Sequence, residues 1–501
     1  MTTRRMTPDA AYDELVRRSR ERSLLVSCIE LAGWDELTYM PRGGVENRSR
    51  QMAYLAGLYH DAASDPREGE LLGIVAASPL VADPLSAAAV NVRQWRRTFE
   101  RMSRQPRALV EELARVTTAA QQAWAAARQD ESFAEFRPWL EQVVRLVREQ
   151  GECLRDAKDV GRISNPSERP VGGRIENPSY STPNAASVYD ALLQDYEPGA
   201  SAEQLRQLFA ALRPELAALL DRIRGAKQRT SNAVLRRDYP LDRQKIFGES
   251  VAAALGFDFD RGRLDTTTHP FFSPIGPGDS RITTRYRQND FAEAFFGLLH
   301  ELGHGLYEQG LGPEHYGTPL GESSSLGVHE ALARLWENAV GRSLPFWRHF
   351  FPQAREVFHQ ALHDVDLDEF YTAVNHVRPS VNRVRADEAT YDLHILVRFE
   401  LEQALLSGEL PPADLPAAWN ENYRQHLGVT PTNDAEGCLQ DGHWSAGQFG
   451  YFPTYTLGNV YAAQLFAAAR AELTSLDEQF AAGDFAPFNA WLSERIYCHG
   501  Q

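Results

Sequence analysis

Apolar residues recur at helical spacing along most of this chain. Thr7-Pro8-Asp9 reads as an N-cap with proline in the first turn, and behind it Tyr12, Leu15, Leu24, Leu25, Cys28 and Leu31 follow a helical rather than an alternating pattern. From Ala87 to about Arg155 the chain is rich in Ala, Arg, Glu, Gln and Leu, and Ala202 to Arg229 is similar, so propensity alone favours long helices in both. Three stretches break the pattern. Gly161 to Pro183 contains Pro166, Pro170, Pro178 and Pro183 with Gly172 and Gly173, which predicts a mobile loop. Phe257 to Arg287 carries β-branched and aromatic residues between turn signals, notably Phe271-Phe272 and Ile282-Thr283-Thr284, which predicts a small sheet. Gly428 to Gly458 is rich in glycine and aromatic residues and has little periodicity. The expected fold is mainly α, with no repeat that would suggest a solenoid.

One helical stripe carries chemistry. Phe291, Phe295, Leu298, Leu302 and Leu306 form an apolar face that stops before Gly310, and Asp290 with Glu293 reads as a capping box at its start. On this helix lies His300-Glu301-Leu302-Gly303-His304, an HExxH motif. Histidines at i and i+4 project from one face and reach a single zinc ion, while Glu301 is placed to act as general base on a metal-bound water. Two core histidines on an amphipathic helix are the plain alternative. A catalytic zinc takes three protein ligands, and the next helical stretch offers Glu330, with His329 and Glu322 close by. Ser324 or Ser325 would cap that helix and Gly341 would end it. A simple Glu330–Arg334 pair at i, i+4 is equally compatible with the spacing, which does not choose among the candidates.

Composition narrows the field. The 501 residues include 52 Lys and Arg against 68 Asp and Glu, a formal net charge of −16, which argues against nucleic acid as the main partner. The N-terminus lacks the apolar core of a signal peptide and no stretch is long and apolar enough to span a membrane, so a cytoplasmic location is expected. Cys28, Cys153, Cys438 and Cys498 lie far apart and read as reduced, mostly buried thiols rather than metal ligands.

With these motifs in place, the chain resembles the carboxypeptidase Taq family of metallocarboxypeptidases from Gly33-Trp34-Asp35 to Leu457-Gly458-Asn459. The resemblance is carried by His269-Pro270-Phe271, Asp279-Ser280-Arg281-Ile282-Thr283, His300 to Gln309, Gly321 to Asn338, Arg383 to Glu388, and Gln440-Asp441-Gly442-His443-Trp444 through Tyr455. It assigns His300, His304 and Glu330 as metal ligands and Glu301 as the base. It also implies zinc, with cobalt as a possible substitute, a deep active-site cleft with the small sheet beside the HExxH helix, and a homodimer. Two motifs depart from the family pattern: Ala331 replaces the serine after Glu330, and Asn382 precedes Arg383. The Gly161–Pro183 loop is also longer than is usual for the family. None of these changes touches a ligand or the base.

The activity so implied is removal of C-terminal residues from peptides with a free C-terminus. The developing oxyanion needs donors, and His443, Tyr451 and Tyr455 are the candidates, without a choice between the tyrosines. The substrate carboxylate calls for an arginine fork. Arg383 is the first candidate and Arg281 the second, and an ordinary ion pair, such as Arg383 with Asp387, is the plain reading of either. Asp279 and Arg281 are expected on the small sheet, whose edge would align the peptide, and His269 is expected to support the site. Motifs spread from His269 to Tyr455 that share one metal favour a single domain over residues 1–501. Two other functions fit the same residues: an oligopeptidase that cuts internally, and a helical binding protein with a vestigial site.

Overall fold

The computed structural model describes residues 6–155, 187–227, 230–267 and 270–500, most of them in helices. The predicted 161–183 loop and His269 lie outside the described residues. The expected first helix runs Pro8–Thr38, and the Thr7 hydroxyl accepts from the Ala10 amide at 3.3 Å. The Ala- and Arg-rich stretch is three helices, Ala87–Arg104, Arg107–Gln129 and Phe133–Leu154, the first two parted at Pro106. Ala202–Gly225 is helical behind a capping box of Ser201 and Gln204, and ends four residues before Arg229. All four cysteines are free thiols. The expectation that they are mostly buried needs correction: Cys28 and Cys498 are exposed, Cys28 because it sits on the solvent side of the first helix.

The sheet forms where the β-branched residues cluster. Its strands are β1 (Gly262–Thr266), β2 (Phe272–Gly276) and β3 (Asp279–Thr284), with β3 in the middle, parallel to β1 and antiparallel to β2. It is anchored from both sides. The Thr284 hydroxyl donates to the Ala294 carbonyl of the HExxH helix at 2.9 Å. The first helix supplies the Leu37 carbonyl to the Thr267 hydroxyl at 3.0 Å and the Glu30 carboxylate to the Ser273 hydroxyl at 3.2 Å.

The HExxH helix, Phe291–Gly310, is positioned by its apolar stripe. Phe291, Phe295, Leu298, Leu302 and Leu306 are each at most 6% exposed, a burial of about 1.5–3 kcal/mol apiece. They join a core that also holds Trp336, Trp347, Phe370 and Phe488. A second core gathers Leu140, Phe209, Phe399, Trp419 and Trp444, and a smaller third packs Leu15 and Trp95 among the N-terminal helices. Tyr461, on the Pro453–Glu472 helix, packs against the first two cores.

The aperiodic Gly428–Gly458 stretch resolves into two parts. Residues 427–452 are turns and coil, but Pro453 in the first turn starts a helix, so Tyr455 is helical where the sequence suggested irregular chain.

Candidate metal centre

Asp290 caps the HExxH helix by accepting from the Glu293 amide at 3.2 Å. The reciprocal half of the expected capping box does not form, because the Glu293 carboxylate is paired with Arg287 at 3.1 Å and Arg385 at 2.9 Å. One helical turn apart, the His300 and His304 rings lie 5.0 Å from centroid to centroid. Ser325 caps the next helix, Leu326–Arg334, by accepting from the Val328 amide at 3.1 Å, and that helix carries Glu330.

The two helices approach closely enough to bring His300, His304 and Glu330 together, with one ligand atom from each all within 4.8 Å of one another. Among the described residues no other group of His, Cys, Asp and Glu side chains does this. Glu330 Oε2 lies 3.7 Å from His300 Nε2 and 3.9 Å from His304 Nε2. Its other oxygen, Oε1, accepts from Arg334 Nε at 3.1 Å. The i, i+4 pair and the ligand position therefore coexist, one carboxylate oxygen serving each. The pair is buried rather than superficial, its side chains 9% and 6% exposed.

The candidate ligands are oriented from behind. A π-helical turn, Leu335–Val340, continues the Glu330 helix and carries Glu337, whose Oε2 lies 3.0 Å from His300 Nδ1 and 2.9 Å from Arg334. A carboxylate only accepts, so in its neutral, metal-binding form His300 carries its hydrogen on Nδ1 and turns the Nε2 lone pair toward Glu330. With no cation there, burial opposes the charged imidazole, but Glu330 and Glu337 overcome it and raise His300 to about 9. Burial opposes ionisation of Glu337, but Arg334 and His300 hold its carboxyl down to about 2. Glu301 is 6% exposed, and burial pushes its carboxyl up to about 7 against the pull of His300. Two imidazole nitrogens and one carboxylate oxygen, aimed at one point and held by other hydrogen bonds, fit a divalent cation of the zinc type.

The remaining candidates divide. His443 Nε2 lies 3.1 Å from the Tyr455 hydroxyl, and the Tyr451 ring is 5.4 Å from both the His443 and Tyr455 rings. Burial pushes both tyrosine hydroxyls up, Glu330 adding to the effect, and lowers His443 to about 3. Arg383 is 7% exposed. Its Nε and one Nη donate to Asp441 at 3.0 and 2.8 Å, the other Nη donates to the Tyr391 hydroxyl at 2.9 Å, and the guanidinium lies 4.9 Å from the Tyr455 ring centre. Its ion-pair partner is thus Asp441 rather than Asp387.

Arg281 and Asp279 form a two-pronged pair, both bonds 2.8 Å, with the guanidinium 4.2 Å from the Trp34 ring centre. Both stand on the central strand, so the free edges of the sheet belong to β1 and β2, not to the strand that carries this motif.

Sequence reasoning did not pick out Glu337, Glu308, Asp441 or the buried role of Arg334. Two of these had a signal. Glu308 extends the His300, His304 stripe by another four residues, and Glu337 lies seven residues beyond Glu330 on the same helical face.

An HExxH helix completed by a glutamate from the following helix defines a metallopeptidase-type centre. The profile of the carboxypeptidase Taq (M32) metallopeptidases matches residues 14–162 and 173–501. Thermostable carboxypeptidase 1 of Thermus thermophilus is 51% identical over 495 residues, covering 99% of this chain and 93% of that protein. Carboxypeptidase 1 of Bacillus subtilis is 34% identical over 496 residues, covering 99% and 92%. Among solved structures, the M32 carboxypeptidase from Deinococcus radiodurans superposes with a TM-score of 0.86 at 38% identity, covering 98% of this chain and 92% of that one. The chain belongs to the carboxypeptidase Taq family of metallopeptidases. It is a peptidase, a hydrolase of a family of metal-dependent carboxypeptidases. No helix among the described residues is long and apolar enough to cross a membrane.

Proposed function

We propose that this enzyme removes residues one at a time from the free C-termini of peptides, using a zinc ion held by His300, His304 and Glu330 with Glu301 as general base. The convergence of the three ligand atoms within 4.8 Å carries the reading. Zinc held there supplies a Lewis acid for the scissile carbonyl and makes water a stronger acid at neutral pH. Glu301 takes a proton from the attacking water on its carboxylate and delivers it to the departing amide nitrogen. His443, Tyr451 and Tyr455 offer donors to the oxyanion, and burial keeps His443 uncharged for this task.

Arg383 is assigned to the substrate carboxylate. Asp441 and Tyr391 engage three of its N–H groups and fix the plane of the guanidinium, leaving the remaining Nη hydrogens for a ligand. Asp279 and Arg281 contribute through the sheet they order against Trp34, and a peptide added as a strand would dock on the outer edge of β1 or β2. Cobalt is expected to replace zinc in the same ligand set. The reading also includes a homodimer in the cytoplasm, with equilibrium sedimentation expected to give twice the 56.2 kDa chain mass.

The test is a mixed peptide set incubated with the zinc-loaded protein, with products identified by mass spectrometry. Release of single C-terminal residues, abolished by chelator and absent for amidated peptides, is the expected result. Equal cleavage of amidated peptides would replace this reading with internal cutting, and chelator-insensitive hydrolysis would remove the metal from it.

A further inference from the structure

The two histidine ligands are held in different ways. Behind His300 stands one carboxylate, Glu337, itself paired with Arg334 at 2.9 Å and Arg342 at 3.8 Å. Behind His304 stands a second imidazole. His329 Nδ1 is hydrogen-bonded to His304 Nδ1, and His329 Nε2 lies 3.1 Å from Glu308 Oε1. Among the described residues Glu308 has no Lys or Arg ion-pair partner.

The hydrogens in this chain follow from the end that accepts only. Glu308 is a carboxylate, so the His329 Nε2 it faces carries a hydrogen. The Nδ1 of a neutral His329 is then a lone pair, and the contact with His304 is satisfied only if His304 Nδ1 carries the hydrogen. His304 Nε2, 3.9 Å from Glu330 Oε2, is left as a lone pair facing the other ligands. The opposite tautomers would place a hydrogen on His304 Nε2 and set two acceptors against each other at Glu308.

Packing holds the arrangement. The His304 and His329 rings lie side by side, with centroids 4.4 Å apart and planes 28° from parallel. Phe272 of β2 covers both, at 6.0 and 5.6 Å, and Tyr307 flanks His329 at 5.5 Å. Both ring nitrogens of His329 are committed, so it is not itself a ligand. His304 and Glu308 belong to the HExxH helix and His329 to the helix of Glu330, so the relay also ties together the two elements that carry the ligands.

We propose that Glu308 and His329 act in series as positioning residues that fix the tautomer and orientation of His304 for metal binding. The inference rests on the ligand assignment above and concerns zinc affinity, not the chemical step.

The experiment measures zinc affinity by competition with a chromophoric chelator for the wild type, Glu308→Leu, His329→Phe and the double variant, with circular dichroism to verify folding. Each single variant is expected to bind zinc about 10–100-fold more weakly, the usual effect of losing a partner behind a ligand. Exposed Glu314→Gln should bind as the wild type does. Because the two residues act in series, the double variant should bind no more weakly than His329→Phe alone. Single variants with wild-type affinity overturn the proposal. So does a double variant that shows the product of the two losses, since Glu308 would then act by its charge alone. If His329→Phe fails to fold, His329→Asn takes its place. One zinc per wild-type chain, lost in His304→Ala, checks the ligand set separately, so failure of the relay is not confused with failure of the site.

Discussion

At the scale of single residues, the site depends on charged groups with a partner on each side. Glu330 gives one oxygen to Arg334 and turns the other toward the histidines, and Asp441 accepts from Arg383 at 2.8 Å and from Arg398 at 2.7 Å. Glu301→Gln keeps the shape and loses the base, so zinc should remain bound while turnover falls by about 10²–10⁴-fold; near-normal turnover in the zinc-loaded variant would remove Glu301 from the mechanism. Arg383→Ala would strand Asp441 beside a single arginine, so Arg383→Lys is the better probe of carboxylate binding. It should lower kcat/KM on free-C-terminus peptides by about tenfold, the scale of one charge-assisted hydrogen bond, without a matching loss of stability. Asp441 also makes a pH prediction. Burial opposes its ionisation, but Arg383 and Arg398 hold its carboxyl well below the ordinary value of 3.8. The folded state therefore stays ionised where the unfolded chain takes up a proton, so this contribution is complete above 3.8 and is lost as the pH falls below it. Urea unfolding between about pH 6 and pH 3 should show a shallower acid slope for Asp441→Asn than for the wild type. Of these residues, the proposed ligands His300 and His304 and the proposed base Glu301 stood out in the spacing and Glu330 only through the family motif, whereas Asp441 as the partner of both arginines had no signal.

At the scale of elements, the centre exists because three helices come unusually close. A Cβ on Gly303 of the HExxH helix would stand 2.4 Å from the Leu332 carbonyl oxygen and 2.6 Å from Ala333 Cα. One on Gly458, from the Pro453–Glu472 helix, would stand 2.6 Å from Glu330 Cγ. Ala normally stabilises an exposed helical position relative to Gly, and Gly73, which meets nothing within 4 Å, should gain about 0.5–1 kcal/mol as Gly73→Ala. Gly303→Ala and Gly458→Ala should show the opposite sign, losing about 1–3 kcal/mol and binding zinc more weakly, because the methyl pushes Glu330 or its helix away from the histidines. Chemical denaturation with a zinc titration on the three variants measures both effects. The HExxH helix and the small sheet were readable from periodicity and β-branched clusters, and so was a serine cap for the Glu330 helix, though only the structure selects Ser325 over Ser324. The central place of β3, the π-helical turn that delivers Glu337 and the helical start at Pro453 were not, since each depends on what packs against the segment.

At the scale of the whole molecule, His300, His304 and Glu330 come from two helices that pack in one core, while Tyr391, whose ring centre lies 3.8 Å from the Arg334 guanidinium, belongs to the other. Zinc that binds the folded chain and not the unfolded one should raise the melting temperature in proportion to the logarithm of free zinc, with unchanged helical circular dichroism. A melting temperature indifferent to zinc and chelator would contradict the ligand set. The sequence by itself determined that the first segment, the Ala- and Arg-rich stretch and the HExxH segment are helical, and that the apolar stripe of the HExxH helix is its buried face. These are local properties, written in the spacing of residues within a few turns. Tertiary structure alone decided that Glu308 reaches His329 from the neighbouring helix, that Asp441 joins Arg383 and Arg398 across 58 and 43 residues, and that both sides of β3 are occupied. Periodicity tells a side chain which way to face, but its partner is chosen by the packing of elements far apart in the chain.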